Sequence, residues 1–289
     1  MLTNTFCHIP GIGPRKEQKL WASGIRHWDD CLVSGGVPVL SPRRSRYVLD
    51  WLQASKKHLR RGDPSFFASA MPPNLLWRLF PEFRDGVAYL DVETTGLGGP
   101  GSTITSIALY DGRAVSWFVQ GQNLCEFPEA VSCHKILVTY NGKCFDLPFL
   151  QRFFRMPFGQ LHIDLRYLLG SLGFKGGLKG CERQLGIDRG DLEGVDGYFA
   201  VLLWEEYARH DSPEALQTLL AYNIQDTVNL ETLMVEAYNL KLRETPFAGT
   251  HELPMPKAPE LPFRPHRGTV ERIRSRIEEI AHSRSGGFA

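Results

Sequence analysis

The sequence predicts an α/β protein: a mixed five-stranded sheet flanked by helices, preceded by a small helical N-terminal region. Three observations carry that reading. The apolar spacing changes from helical to strand-like at Gly86. Two strand-like runs, 103–110 and 114–119, meet at Asp111-Gly112, a dipeptide suited to a tight hairpin. Beyond them, short apolar runs alternate with helical patterns, as in sheets with crossover helices.

Residues 6–33 read as a compact helical unit. Ile9-Pro10-Gly11-Ile12-Gly13 makes a tight turn, Pro14 suits the first turn of the next helix, and Gly24 ends it. Asp29 to Val33 start another helical turn, and Ser34-Gly35-Gly36-Val37-Pro38 breaks the chain. Residues 42–61 form a basic amphipathic helix, with Tyr47, Val48, Trp51 and Leu52 at helical spacing among Arg43, Arg44, Arg46, Lys56, Lys57, Arg60 and Arg61. The aromatic-rich stretch 64–83 is expected to pack on the sheet domain. Val87 to Val92 is apolar enough for a central strand. Ile136 to Tyr140 and Leu161 to Asp164 supply the fourth and fifth strands, with a helix over 147–154 between them. The two longest helices are expected at 198–209 and 213–238. Residues 244–266 are rich in proline and read as an extended linker. A short Arg/Glu helix is expected at 268–284, with Val270, Ile273, Ile277 and Ile280 on one face. The expected division is a basic helical region 1–84, a sheet domain 85–240 and a linker with a basic tail 241–289.

The bulk composition narrows the function classes. With 43% apolar and 22% charged residues, the 289-residue chain can build a core, which argues against a disordered polymer. No apolar run approaches the roughly 18 residues of a membrane span, and the start, Met-Leu-Thr-Asn-Thr-Phe-Cys-His, lacks a signal-peptide pattern. Six scattered cysteines contain no C-x-x-C, so neither a disulfide framework nor a zinc site is expected, and a cytoplasmic location is. The net charge of +1 conceals a gradient: +7 over 1–84, −9 over 85–261 and +3 over 262–289. An acidic middle between basic ends suits a carboxylate site flanked by surfaces that attract a polyanion.

Three acidic motifs stand in order along the middle. Asp91 and Glu93 lie two apart on a strand, so both carboxylates leave the same face, just before the turn Thr94-Thr95-Gly96-Leu97-Gly98-Gly99. Asp146 comes after Asn141-Gly142-Lys143-Cys144-Phe145 at the head of a helix, where it is a metal-ligand candidate or a simple cap. Tyr222 and Asp226 lie four apart on a helix and share a face. Four converging carboxylates repel unless cations separate them. Two divalent ions about 4 Å apart do so, and carboxylate oxygen suits Mg²⁺ or Mn²⁺.

The three motifs resemble those of the DEDD exonuclease superfamily, in the branch that carries Tyr four positions before the last Asp. The position five before it, where the other branch has His, is Ala221. The stretch from about 77 to 235 also resembles the YprB-like ribonuclease H group through Trp77-Arg78-Leu79-Phe80, His162-Ile163-Asp164-Leu165 and residues 179–186. The resemblance implies a ribonuclease H-like fold and stepwise 3′→5′ hydrolysis of nucleic acid, DNA or RNA, at a free single-stranded 3′ end. It implies Asp91, Glu93, Asp146 and Asp226 as ligands of two Mg²⁺ or Mn²⁺, with Tyr222 orienting the attacking water. Thr94, Thr95, Leu97, Asn141 and Lys143 would meet substrate, Asp164 would support the second motif, and Lys175 and Lys179 are phosphate-contact or plain surface lysines. Ile9 to Gly13 resembles a helix-hairpin-helix turn, which implies a phosphate grip by Gly11, Gly13, Arg15 and Lys16, with Lys19 adding charge; a protein-docking cap is the alternative. Only eight residues precede Ile9, so any first helix must be very short. The competing functions are a non-catalytic nucleic-acid-binding module on the same fold, an interaction scaffold, and an endonuclease.

Overall fold

The computed structural model describes residues 1–37, 40–96, 99 and 101–285. Leu97, expected to meet substrate, lies outside them. The N-terminal region opens with a three-residue 3-10 turn at Leu2–Asn4. It continues through α1 (Pro14–Ala22), α2 (Trp28–Val33), α3 (Pro42–Arg60) and α4 (Pro64–Ala70). Proline opens α1, α3 and α4, where its missing N–H has no helical partner to lose. At the head of α2, Asp30 accepts from the His27 amide at 2.7 Å while His27 Nδ1 accepts from the Asp29 amide at 3.1 Å. On α3, Val48 and Leu52 are fully buried.

The sheet contains β1 (Val87–Thr94), β2 (Ile104–Tyr110), β3 (Val115–Val119), β4 (Ile136–Thr139) and β5 (Leu161–Asp164). Their order is β3-β2-β1-β4-β5. β2 pairs antiparallel with both β1 and β3, and β4 and β5 add in parallel beside β1. This is the mixed five-stranded sheet the sequence predicts. The short α5 (Phe127–Ser132) precedes β4, and α6 (Asp146–Phe154) carries the chain from β4 to β5. Then come α7 (Leu165–Gly170), α8 (Gly177–Gln184), α9 (Gly197–His210), α10 (Pro213–Leu242) and α11 (Arg267–Ser285). The sequence pattern did not separate α5 or α8, because six and eight residues are too few to display a helical period.

Strand alternation divides the core. Ala88, Leu90, Val92, Leu109 and Leu137 pack with Phe127, Val131, Phe149 and Leu150 of α5 and α6 on one face. Val87, Tyr89, Ala108, Ile136 and Val138 face the other way, against Ile224, Val228 and Leu230 of the 30-residue α10. The same cluster takes in Leu2, Phe6, Trp28, Phe67, Trp77 and Phe80, so the N-terminal helices pack directly on this layer. A third cluster joins α9, the first half of α10 and Val270 and Ile273 of α11.

A buried ion pair fastens the N-terminal unit. Glu17 Oε2 accepts from Arg78 Nη1 at 2.7 Å, and Glu17 Oε1 accepts from the Phe6 amide and the Thr5 hydroxyl, both at 2.6 Å. In the Pro-rich stretch, residues 244–250 continue as turns after α10, and the residues beyond them carry no helix or strand and lie pinned along α10. Asn239 exchanges two hydrogen bonds of 2.9 Å with the Leu253 backbone, and Phe263 meets Trp117 edge-on at 5.0 Å. Among the described residues no helix is long and apolar enough to cross a membrane.

Candidate active site

Because strand side chains alternate, Asp91 and Glu93 leave β1 on the same side as Val87 and Tyr89, toward α10. They stand at the C-terminal end of β1, beside a register shift between Glu93 and Thr94 where the pairing with β2 loosens. The turn beyond is tied by its own threonines. The Thr94 hydroxyl donates to the Gly96 carbonyl at 2.6 Å, and Thr95 Oγ1 accepts from the Thr103 amide at 3.0 Å.

The second motif is a strap closed by Asp164. Its Oδ1 accepts from the Asn141 amide at 2.8 Å and its Oδ2 from the Lys143 amide at 3.0 Å, while Oδ1 also caps α7 through the Arg166 amide. This is the supporting role expected of Asp164. Asn141 takes the left-handed conformation (φ 67°), and its side-chain oxygen accepts from Arg166 at 2.5 Å. Gly142 lies so close to Thr139 that a Cβ would stand 2.1 Å from the threonine hydroxyl. The strap delivers Asp146 as the first residue of α6, 4% exposed. The N-cap position belongs to Phe145, so Asp146 does not cap the helix in the way the alternative reading of it expects. Its carboxylate instead feels the charge of Asp91, so the second motif lies against the first.

The third motif comes from α10. Tyr222 and Asp226 are each 3% exposed, on the side of the helix turned to the sheet and α9. Between them Asn223, fully buried, donates from Nδ2 to Asp91 Oδ2 at 2.7 Å and accepts from the Ser106 hydroxyl of β2 at 3.1 Å. It fixes the direction of the first-motif aspartate. No feature of the sequence separates this asparagine from any other on an apolar helix.

The acids feel one another. Burial raises the Asp91 carboxyl to about 7, with the Asp226 charge adding to it. Burial pushes Glu93 well above the usual carboxylate range, reinforced by Asp91 and Asp226, and Asp146 likewise, reinforced by Asp91. The Tyr222 phenol is pushed up by burial and then by Asp226, Glu93 and Asp91. The structure therefore brings Asp91, Glu93, Asp146, Tyr222 and Asp226 into one electrostatic neighbourhood at the edge where β1 and β4 end.

Asp226 has two basic partners. Lys179 of α8 donates to both of its oxygens, and Arg189 Nη2 reaches Oδ1 at 2.6 Å. Arg189 Nη1 also holds Glu182 at 2.8 and 2.9 Å, and Asn229 donates to Glu182 at 2.8 Å. Lys179 is thus paired with Asp226 and is not the free surface lysine that is one of the two roles the sequence allows it. Glu182 falls within residues 179–186, part of the family resemblance, but the sequence gives it no role, and Arg189 lies in no motif. Among the described residues no three His, Cys, Asp or Glu side chains stand as an assembled metal site. The donor set still fits a hard divalent cation. It is all oxygen, and among the described residues no ion pair joins Asp91, Glu93 or Asp146 to a basic side chain.

The N-terminal turn has its carbonyls engaged, while Gly11 and Gly13 are exposed. Gly11 takes φ 83°, its carbonyl accepts from Lys16 Nζ at 3.0 Å, and Arg44 donates to the Pro10 carbonyl beside it. Gly13 caps α1, and Arg15 and Lys16 are exposed.

A family model described as RNase_H_2, of the RNase_H superfamily, matches residues 88–238. The uncharacterized protein YprB of Bacillus subtilis (strain 168) is 31% identical over 186 residues, 56% of this chain and 44% of that protein. The chain thus spans less than half of that relative's length. Among solved structures, the family B DNA polymerase of Pyrobaculum calidifontis aligns with a TM-score of 0.41 at 15% identity, over 54% of this chain and 24% of that one. The matched span contains the whole sheet and all three acidic motifs, and the chain belongs to the RNase_H superfamily.

Proposed function

We propose that the chain is a metal-dependent 3′→5′ exonuclease of the Tyr branch of the DEDD superfamily, acting on single-stranded ends of DNA or RNA. The observation that carries this reading is the meeting of three separate acidic motifs, from β1, the β4–α6 strap and α10, at one sheet edge of a nuclease-type fold. Asp91, Glu93, Asp146 and Asp226 would hold two Mg²⁺ or Mn²⁺. When bound, such ions make a water nucleophilic at neutral pH and offset charge on the leaving oxygen.

The chain's own groups do the rest. Asn223 and Ser106 lock Asp91 in one rotamer. The Tyr222 phenol is kept protonated by burial and the surrounding acids, so it orients a water as a hydrogen-bonding group and does not act as a base. Thr94, Thr95, Asn141 and Lys143 line the approach of the terminal nucleotide, where the tied turn and the strap hold their backbones in place. The basic N-terminal region, with Arg15 and Lys16 exposed, gathers the polyanion. The free cysteines favour a reducing compartment, the cytoplasm.

One specific observation favours a second reading, a nucleic-acid-binding module without activity: Asp226 is neutralised by Lys179 and Arg189. End-labelled single-stranded DNA and RNA with Mn²⁺ separate the two. The exonuclease releases mononucleotides, Asp226→Asn abolishes this, and Tyr222→Phe slows it by roughly 10²-fold while leaving the fold intact. If wild type yields no product on either polymer yet still binds in a salt-dependent, metal-independent way, the binding module stands in its place. A closed circular substrate tests for endonuclease cleavage.

A further inference from the structure

Two basic side chains reach Asp226, and their surroundings differ. The Arg189 side chain is 2% exposed and spans two buried acids, Asp226 and Glu182. Removing it would leave Glu182 without an ion-pair partner among the described residues, so it is a fixed part of the packing. The Lys179 side chain is 27% exposed and reaches Asp226 from α8 on a flexible four-carbon stem. Its ammonium also rests 4.6 Å above the Tyr222 ring. Among the described residues it has no second acid in an ion pair.

Resting on the reading of Asp226 as a metal ligand, we propose that Lys179 is the site's own stand-in cation, which a divalent ion must displace, while Arg189 stays as a positioning residue. An ammonium seated on both oxygens competes directly with an ion for Asp226, because like charges sharing one carboxylate repel strongly in a buried site. Arg189 keeps its hold on Oδ1, so the carboxylate stays in place when the lysine leaves. Metal-free, the pair holds Asp226 in place and spares α10 an uncompensated charge. The consequence is an affinity for the ion at this carboxylate set below what the acids alone would give.

The test is direct Mn²⁺ binding to the metal-stripped full chain, read from the electron-paramagnetic-resonance signal of free Mn²⁺. Lys179→Met, which keeps the stem and removes the charge, is expected to tighten one site by about tenfold or more with the same number of ions bound. Lys179→Arg, which keeps the charge, is expected to bind no more tightly than wild type. Lys179→Gln serves as the second uncharged variant should the methionine form melt early. Wild type binding two ions, with neither uncharged variant any tighter, overturns the inference and leaves the exonuclease reading standing. No Mn²⁺ bound by any of the forms overturns both. Wild type binding weakly and Lys179→Met strongly supports both.

Discussion

Asp91 shows what it costs to bury a carboxylate among other acids. Its folded-state value of about 7 lies above the ordinary 3.8, because burial and the Asp226 charge disfavour the anion. Between those two values the folded chain keeps a proton that the unfolded chain has lost. Stability therefore falls as pH rises across that window, the penalty is complete above about 7, and it vanishes below about 4. Asp91→Asn has no such proton to lose. In EDTA it should melt higher than wild type at pH 8, by on the order of a few kcal/mol of stability, with the advantage gone at pH 4. Melting curves across that range check it, and a difference independent of pH would refute titration of Asp91 as the cause. Saturating Mg²⁺ should shrink the wild-type penalty, since bound cations stabilise the anions.

At the scale of elements, the Glu17–Arg78 pair decides whether the N-terminal helices and the sheet behave as one body. The Arg78 guanidinium is 5% exposed, bonded to Glu17 and to the Thr5 hydroxyl at 2.5 Å, and lies 5.6 and 5.5 Å from the Trp21 and Trp77 rings. Arg78→Met leaves the Glu17 carboxylate buried with no cation. It should cost about 3–5 kcal/mol in denaturant melts, and the double variant with Glu17→Gln should recover part of that loss. A single-variant loss under about 0.5 kcal/mol, the range of ordinary surface changes, would show that the pair holds nothing. The sequence places Trp77-Arg78-Leu79-Phe80 within a family resemblance, but the partner of Arg78 lies 61 positions away and no local pattern reveals it.

Across the whole molecule, charge is segregated: the first 84 residues carry +7 and the sheet region −9. If the N-terminal surface gathers substrate, Arg15→Ala with Lys19→Ala should weaken oligonucleotide binding uniformly across sequences. The slope of log affinity against log salt should fall by about 0.7 for each single-strand phosphate that is no longer neutralised, with turnover at saturating substrate unchanged. An unaltered slope would assign these helices to packing alone. Their continuous apolar cluster with the sheet already gives them that second task.

Spacing along the chain was enough to specify the sheet, the hairpin at Asp111-Gly112 and which side chains within a motif share a face. Period two puts Asp91 and Glu93 on one face, and a four-residue step puts Tyr222 beside Asp226. What those acids touch was settled by packing in three dimensions. Asn223 finds Asp91 across 132 positions, and Lys179 finds Asp226 across 47. Such contacts arise when α8 and α10 close over the sheet. Burial then obliges each carboxylate to find a donor or a cation, and which side chain answers depends on how distant elements come together.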